Sequence, residues 1–235
     1  RERQLLDRVA VLAEDFGFRD AVASRDPPAM ASALANAAAR LGVQAGWLVD
    51  PDGRQLAELD AGRAALPAAV LARMVGVAQQ DGFVVGVAAT GARAHTIALV
   101  PVFAPGLVGW VALGSEFGVD DVGEFAAITG LDASVVVRER GAGRVVASST
   151  ALDGALPSGI DWRPGAPRVQ AVRLPDDVGV PSARAQRVSL AGESPVFVLV
   201  QAAREEAMAP FVDLGRQVLL LSALAAVLVL AGALY

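Results

Sequence analysis

The chain has 235 residues, with 20 arginines, no lysine, 25 acidic residues, a single histidine and no cysteine. A net charge of −5 excludes the basic face that nucleic acid requires. The lack of cysteine excludes disulfides, thiolate nucleophiles and iron–sulfur or zinc-finger ligation. With one histidine, His95, no histidine-rich metal site can be built, so no metal and no cofactor is expected.

Apolar residues at Leu5, Val9, Leu12 and Phe16 recur at steps of three and four, which predicts one amphipathic helix over Arg1–Ser24. Asp26-Pro27-Pro28 interrupts it. Asp26 reads as an N-cap and Pro27 as the first turn of a second helix, which runs through Met30, Leu34 and Ala38 to Leu41 and is capped by Gly42. The period then changes from 3.6 to 2. Trp47–Asp50 and Arg54–Leu59 read as a hairpin around Pro51-Asp52-Gly53, because proline presets its φ and glycine tolerates positive φ.

A third helix is expected over Ala64–Gln80, then strands at Phe83–Ala89, His95–Phe103 and Leu107–Gly114. Pro101 lacks an N–H for a ladder bond, so a bulge or an edge is expected there. Asp120–Thr129 reads as a short helix ended by Gly130. A hairpin at Leu131–Arg138 and Arg144–Ser148, a Gly/Pro-rich stretch at Leu152–Pro167 and three further strands near Val169–Leu174, Arg184–Leu190 and Val196–Gln201 complete the pattern. Helix, hairpin, connector and three strands thus occur twice, a weak internal repeat of architecture.

From Ala202 the sequence reads as helical, with a kink or restart at Pro210. Val218–Tyr235 carries no charge, and its eighteen residues would span about 27 Å as a helix, close to a bilayer core. This predicts a membrane span. The start at Arg1 and the stop within this run suggest a piece of a longer protein, with a membrane helix before it and a cytoplasmic part after it.

Other motifs carry little chemistry. Asp50-Pro51-Asp52-Gly53 lacks the later ligands of a calcium loop, and Gly141-Ala142-Gly143 lacks the third glycine of a dinucleotide fingerprint. Both read as turns. No second histidine exists to activate a serine.

Three stretches carry a resemblance. DFGFRDAVASRDPPAMASALANAAARLG followed by AGWLVDPDGRQLAE resembles the opening of a membrane-distal Cache module, and VPVFAPGLVGWVALG followed by ITGLDASVVVRERGAGRVVASS resembles the crossover into a membrane-proximal one. The chain therefore resembles a double Cache sensor domain. The resemblance implies an α+β fold of tandem PAS-like modules with antiparallel sheets, and a division into a helix over 1–25, a distal module over 26–118, a proximal module over 119–203, a connecting helix over 204–217 and a truncated membrane helix over 218–235. It also implies an extracytoplasmic sensor, without enzymatic activity of its own, in an inner-membrane receptor. The type often stands ahead of HAMP and GGDEF/EAL domains, so a cyclic di-GMP output is expected; a histidine kinase, a chemoreceptor or a ligand-free structural ectodomain are the alternatives. The sequence departs from the amino-acid-sensing members, whose motif needs a tyrosine, since Tyr235 is the only one.

In Cache modules the ligand lies over the distal sheet. Period-2 counting puts His95, Ile97, Leu99, Pro101 and Phe103 on one face, with Trp47 and Trp110 on neighbouring strands. Arg73 and Arg93 would supply a fork for an anionic group. Trp47, Arg73, Arg93, His95, Phe103 and Trp110 are thus the candidate ligand contacts. The plain reading of the aromatic residues is core, and of the arginines solvated surface. The Leu5/Val9/Leu12/Phe16 stripe is a candidate homodimer seam, and the expected partners are a small ligand, the membrane and a second copy.

Overall fold

The computed structural model describes residues 2–59, 66–90, 93–139, 142–149, 160, 169–172, 183–188 and 196–201. The chain opens with three helices, α1 (Glu2–Glu14), α2 (Phe16–Ser24) and α3 (Pro27–Leu41). The expected single N-terminal helix is divided at Asp15, whose backbone is extended and whose carboxylate accepts the Phe18 N–H at 2.9 Å. An N-cap of this kind satisfies a donor that has no partner inside the helix and starts a new axis. The division moves the stripe as well. Leu5, Val9 and Leu12 are buried, while Phe16 is 77% exposed and Phe18 takes the inward position.

Asp26 caps α3 through the Ala29 N–H at 3.0 Å, Pro27 stands in its first turn, and Gly42 ends it at φ 65°. A hairpin follows, β1 (Ala45–Val49) and β2 (Gln55–Glu58). In its turn Asp50 Oδ1 accepts the N–H groups of Asp52 and Arg54 at 2.9 and 2.8 Å, which fixes the loop as a turn. Helix α4 (Ala68–Asp81) leads into the meander β3 (Val84–Thr90), β4 (Arg93–Phe103) and β5 (Leu107–Glu116). All ladders are antiparallel and the sheet order is β2-β1-β5-β4-β3.

After α5 (Val119–Thr129) the arrangement recurs. Strands β6 (Asp132–Glu139), β7 (Ala142–Ser148), β8 (Val169–Val172), β9 (Ala183–Arg187) and β10 (Val196–Gln201) form a second antiparallel sheet in the order β7-β6-β10-β9-β8. Each β-number of the first sheet is raised by five, so the two sheets share one topology. The fold is α+β with two antiparallel sheets, as the resemblance implied. Of the remaining expectations, most of the Gly/Pro-rich stretch and everything from Ala202 onward, the charge-free run included, lie outside the described residues. Among the described residues no helix is long and apolar enough to cross a membrane.

The first sheet is buried on both sides. Its central residues Leu48, Ala98, Val100, Val111 and Leu113 pack on Leu5, Val9, Phe18, Val22, Met30 and Leu34 of the first three helices. Its other face carries Trp47, Val49, Ile97, Leu99, Trp110 and Ala112 against Val70, Leu71, Met74 and Val75 of α4. A large apolar side chain withdrawn from water in this way contributes about 1.5–3 kcal/mol. The Leu5/Val9/Leu12 stripe is thus spent on the chain's own sheet and does not form a free seam. At the lower end of the sheet, Val87, Ala89 and Ala94 join Val122, Ala133, Val135 and Val196 in a third cluster that ties the two sheets together.

Two irregularities position the site. Strand β3 begins at Val84, opposite Leu99, while β4 runs on to Phe103. Pro101 therefore pairs only with Trp110 of β5, a one-sided position that tolerates its missing N–H. Of the bulge or edge expected at Pro101, the structure shows the edge, and the register shift of β4 against β5 falls between Val102 and Phe103. Opposite it, Gly109 lies so close to β1 that a Cβ would stand 2.5 Å from the Val49 carbonyl oxygen. Both atoms belong to backbone, so no rotamer change relieves the clash. Gly109→Ala is expected to destabilise the chain by about 2 kcal/mol or more in urea denaturation; a change near zero would show that β1 and β5 separate freely here.

Candidate functional site

The candidate residues divide into three places. Trp47 and Trp110 come together in the cluster beneath α4, 0% and 3% exposed. Cross-strand pairing sets them one step apart, since Trp47 stands opposite Ala112 and Trp110 opposite Val49. The Trp47 indole Nε1–H donates to Glu58 Oε1 at 3.3 Å, and Gln55 Nε2 donates to the other oxygen of that carboxylate at 3.1 Å. Trp110 Nε1 is buried with no hydrogen-bond partner.

His95 shares the Trp face by register, standing opposite Ala88 on one side and Glu116 on the other. It is 1% exposed, and its Nδ1 lies 2.7 Å from Thr90 Oγ1, also fully buried. This pairing satisfies a polar group in the core. Burial holds the imidazole pKa below its ordinary value; the nearby Glu116 opposes that shift and Arg93 reinforces it. Arg93 is engaged by Glu116 at 2.9 Å on the surface. Arg73 lies on the exposed side of α4, turned away from the inward Leu71, Met74 and Val75. The structure does not assemble these two arginines into a fork.

Phe103 leaves the group. The register shift before it ends the alternation, and its ring is 51% exposed. It borders a cleft of about 410 Å³ on the opposite side of the sheet, between α1 and the end of β4, with Leu6, Ala13, Arg19, Phe83 and Pro101. A second cleft, of about 770 Å³, opens between the first turns of α1 and helix α5 and is lined by Arg3, Arg8, Val43, Phe117, Phe125 and Ile128. Neither was foreseen, because each is made by elements far apart in sequence. The exposed apolar positions of α5, Phe125 and Ile128, were the available signal. Among the described residues no cluster of three or more acidic or histidine side chains is placed to hold a metal ion.

A sheet with an apolar, aromatic face under one helix, repeated in topology by a second sheet, defines a tandem α+β module. Residues 1–157 match the family model of the double Cache domain, described as the double sensory domain of two-component sensor kinases, and the chain belongs to this family. Domains of this family are extracytoplasmic sensors of membrane receptors and are non-enzymatic. No curated protein matches the chain. Among solved structures it is similar to the sensor domain of the Vibrio cholerae histidine kinase DctB, at 11% identity over 81% of this chain and 86% of that one, with a TM-score of 0.43. The periplasmic domain of Vibrio cholerae LuxQ gives 13%, 85%, 95% and 0.42. The ligand-binding domain of the Pseudomonas fluorescens chemoreceptor CtaA, solved with L-isoleucine, gives 15%, 85%, 84% and 0.40.

The buried histidine has a consequence for stability. Unfolded chain takes up a proton near the ordinary histidine pKa of 6.5, while the native imidazole resists until lower pH. The His95 contribution is therefore fully present above about pH 6.5 and declines as pH falls toward the native pKa. Denaturation midpoints at pH 7.5 and 5.5 are expected to differ more in the natural chain than in His95→Gln; equal differences would remove His95 as the cause.

Proposed function

We propose that this chain is the ligand-sensing portion of an inner-membrane receptor and that the ligand is recognised on the face of the first sheet beneath α4. The proposal takes residues 26–118 as the membrane-distal module, 119–203 as the proximal one, 204–217 as a connecting helix and 218–235 as part of a membrane span. Residues 1–217 would then stand outside the cytoplasm. The single observation that carries the sensing reading is family membership over residues 1–157.

What supports the site is the concentration of aromatic surface there. Trp47 and Trp110 lie beside each other on one face, with an unspent indole N–H between strand and helix. Of the six candidate residues, these two form the proposed site, with His95 as a buried neighbour at its lower margin. A ligand acts on such a receptor only through its different affinity for two packings of the domain, a coupling of about 1–3 kcal/mol in typical cases. The apolar junction of Val87, Ala89 and Ala94 with Ala133, Val135 and Val196 is the route by which a change in the first sheet would reach the second.

The family description favours a sensor kinase as the output, with a chemoreceptor as a neighbouring possibility. A cyclic di-GMP cyclase or phosphodiesterase rests on the resemblance of the sequence alone. A homodimer is also proposed, though through surfaces other than the Leu5/Val9/Leu12 stripe. The complete packing of Trp47 favours a second reading, an ectodomain that sets geometry without binding a ligand.

The test is a thermal-shift screen of small metabolites against the full chain in membranes. A ligand at 100 times its dissociation constant adds about 2.7 kcal/mol to stability, and Trp47→Ala is expected to remove that response. Failure of every compound to shift the melting temperature would favour the ligand-free reading, and recovery of the full chain outside the membrane fraction would overturn the receptor.

A further inference from the structure

Trp110 presents a donor with nothing to receive it. Indole nitrogen donates and cannot accept, and nearly all buried polar groups in folded proteins find a partner. Trp110 is 3% exposed and its Nε1 has none. The neighbouring indole is different, because Trp47 Nε1 reaches Glu58.

The surroundings determine what kind of group would complete the bond. Trp110 shares a buried apolar cluster with Val49, Leu66, Val70, Met74, Leu99 and Ala112. Among the described residues, the charged side chains nearest this face are already committed or turned outward. Arg73 is exposed, Arg93 is engaged by Glu116, and the Glu58 carboxylate already accepts from Trp47 and Gln55. A carboxylate packed against Trp110 would lose its hydration without gaining a counter-charge from the described residues, and an ammonium would have to draw Glu58 away from Trp47 and Gln55. An uncharged carbonyl loses far less and gains a hydrogen bond from a donor that is otherwise unsatisfied.

We infer that the ligand of this face is an uncharged, mainly apolar molecule bearing one oxygen acceptor, which Trp110 Nε1 receives. The inference rests on the reading of this face as the ligand site. It replaces the anionic ligand that an Arg73/Arg93 fork implied. Selectivity then comes from two sources, the apolar wall, which rejects charge, and the indole N–H, which separates a carbonyl compound from a hydrocarbon of the same shape.

The experiment uses the full chain with matched probes, cyclohexanone and acetophenone against cyclohexanecarboxylate, benzoate and cyclohexylammonium, followed by calorimetry and thermal shift. The ketones are expected to bind and raise the melting temperature, the charged probes to do neither. Trp110→Phe is expected to weaken ketone binding about tenfold, the order of one buried hydrogen bond, while Trp47→Phe keeps the preference for ketone over carboxylate. If Trp110→Phe does not fold, the indole N–H resonance of Trp110 in the natural chain serves instead and is expected to move downfield with cyclohexanone. Binding of the carboxylates or the ammonium in a Trp47-dependent manner would overturn the uncharged ligand and leave the site standing. Ketone binding that survives both Trp47→Ala and Trp110→Phe would overturn the site itself. No response to either ketone, or an unchanged affinity in Trp110→Phe, would overturn the inference.

Discussion

Strand β5 is held between β1 and β4 in a register that assigns every side chain of the first sheet to one of two cores. Trp110 and Ala112 go to the α4 side, Val111 and Leu113 to the side of the first three helices. A slip of one residue would exchange the two sets and push Trp110 into a space shaped for valine. Both faces are buried, so neither can absorb such an exchange by turning to solvent. The close approach of Gly109 to the Val49 carbonyl fixes the β1 side, and eight consecutive pairings with β4 fix the other, from His95–Glu116 to Val102–Gly109.

From that constraint follows the separation of roles between the two faces. The face under the first three helices is closed by elements packed through valine, leucine and methionine, of which α2 and α3 are each started by a capping aspartate. The face under α4 is closed by one helix whose first residue follows Pro67 with no side-chain cap. Its aromatic residues and its unsatisfied indole lie beneath that helix. If ligand is recognised on this face as proposed, α4 is the element that would have to yield, at modest cost.

Much of this architecture is legible in the residues. Asp26-Pro27 and Gly42 bracket α3 because capping chemistry is local, and Asp50-Pro51-Asp52-Gly53 makes its turn for the same reason. The repeated order of hairpin and meander is visible because each strand alternates by two. What escapes a linear reading depends on partners distant in the chain. The apolar stripe of the first helix continues smoothly to Phe16, and only the Asp15 carboxylate, which caps Phe18 and sits 3.6 Å from Arg40, shows why the axis breaks. Phe103 follows the alternation of β4 until the hairpin with Leu107 adds a residue. His95 and Thr90 are unremarkable in sequence and become a buried pair only when β3 folds onto β4. Arg73 has the residue type for anion binding, and helical phase alone turns it outward.

The proline in β4 carries one more implication. Where β3 stops short, the last residues of β4 form an open sheet margin, the kind of template on which strands of other molecules add and grow into aggregates. Pro101 sits within that margin and withholds the N–H an incoming strand would need, so the overhang that gives the first sheet its unequal strands is also guarded against self-templating during folding.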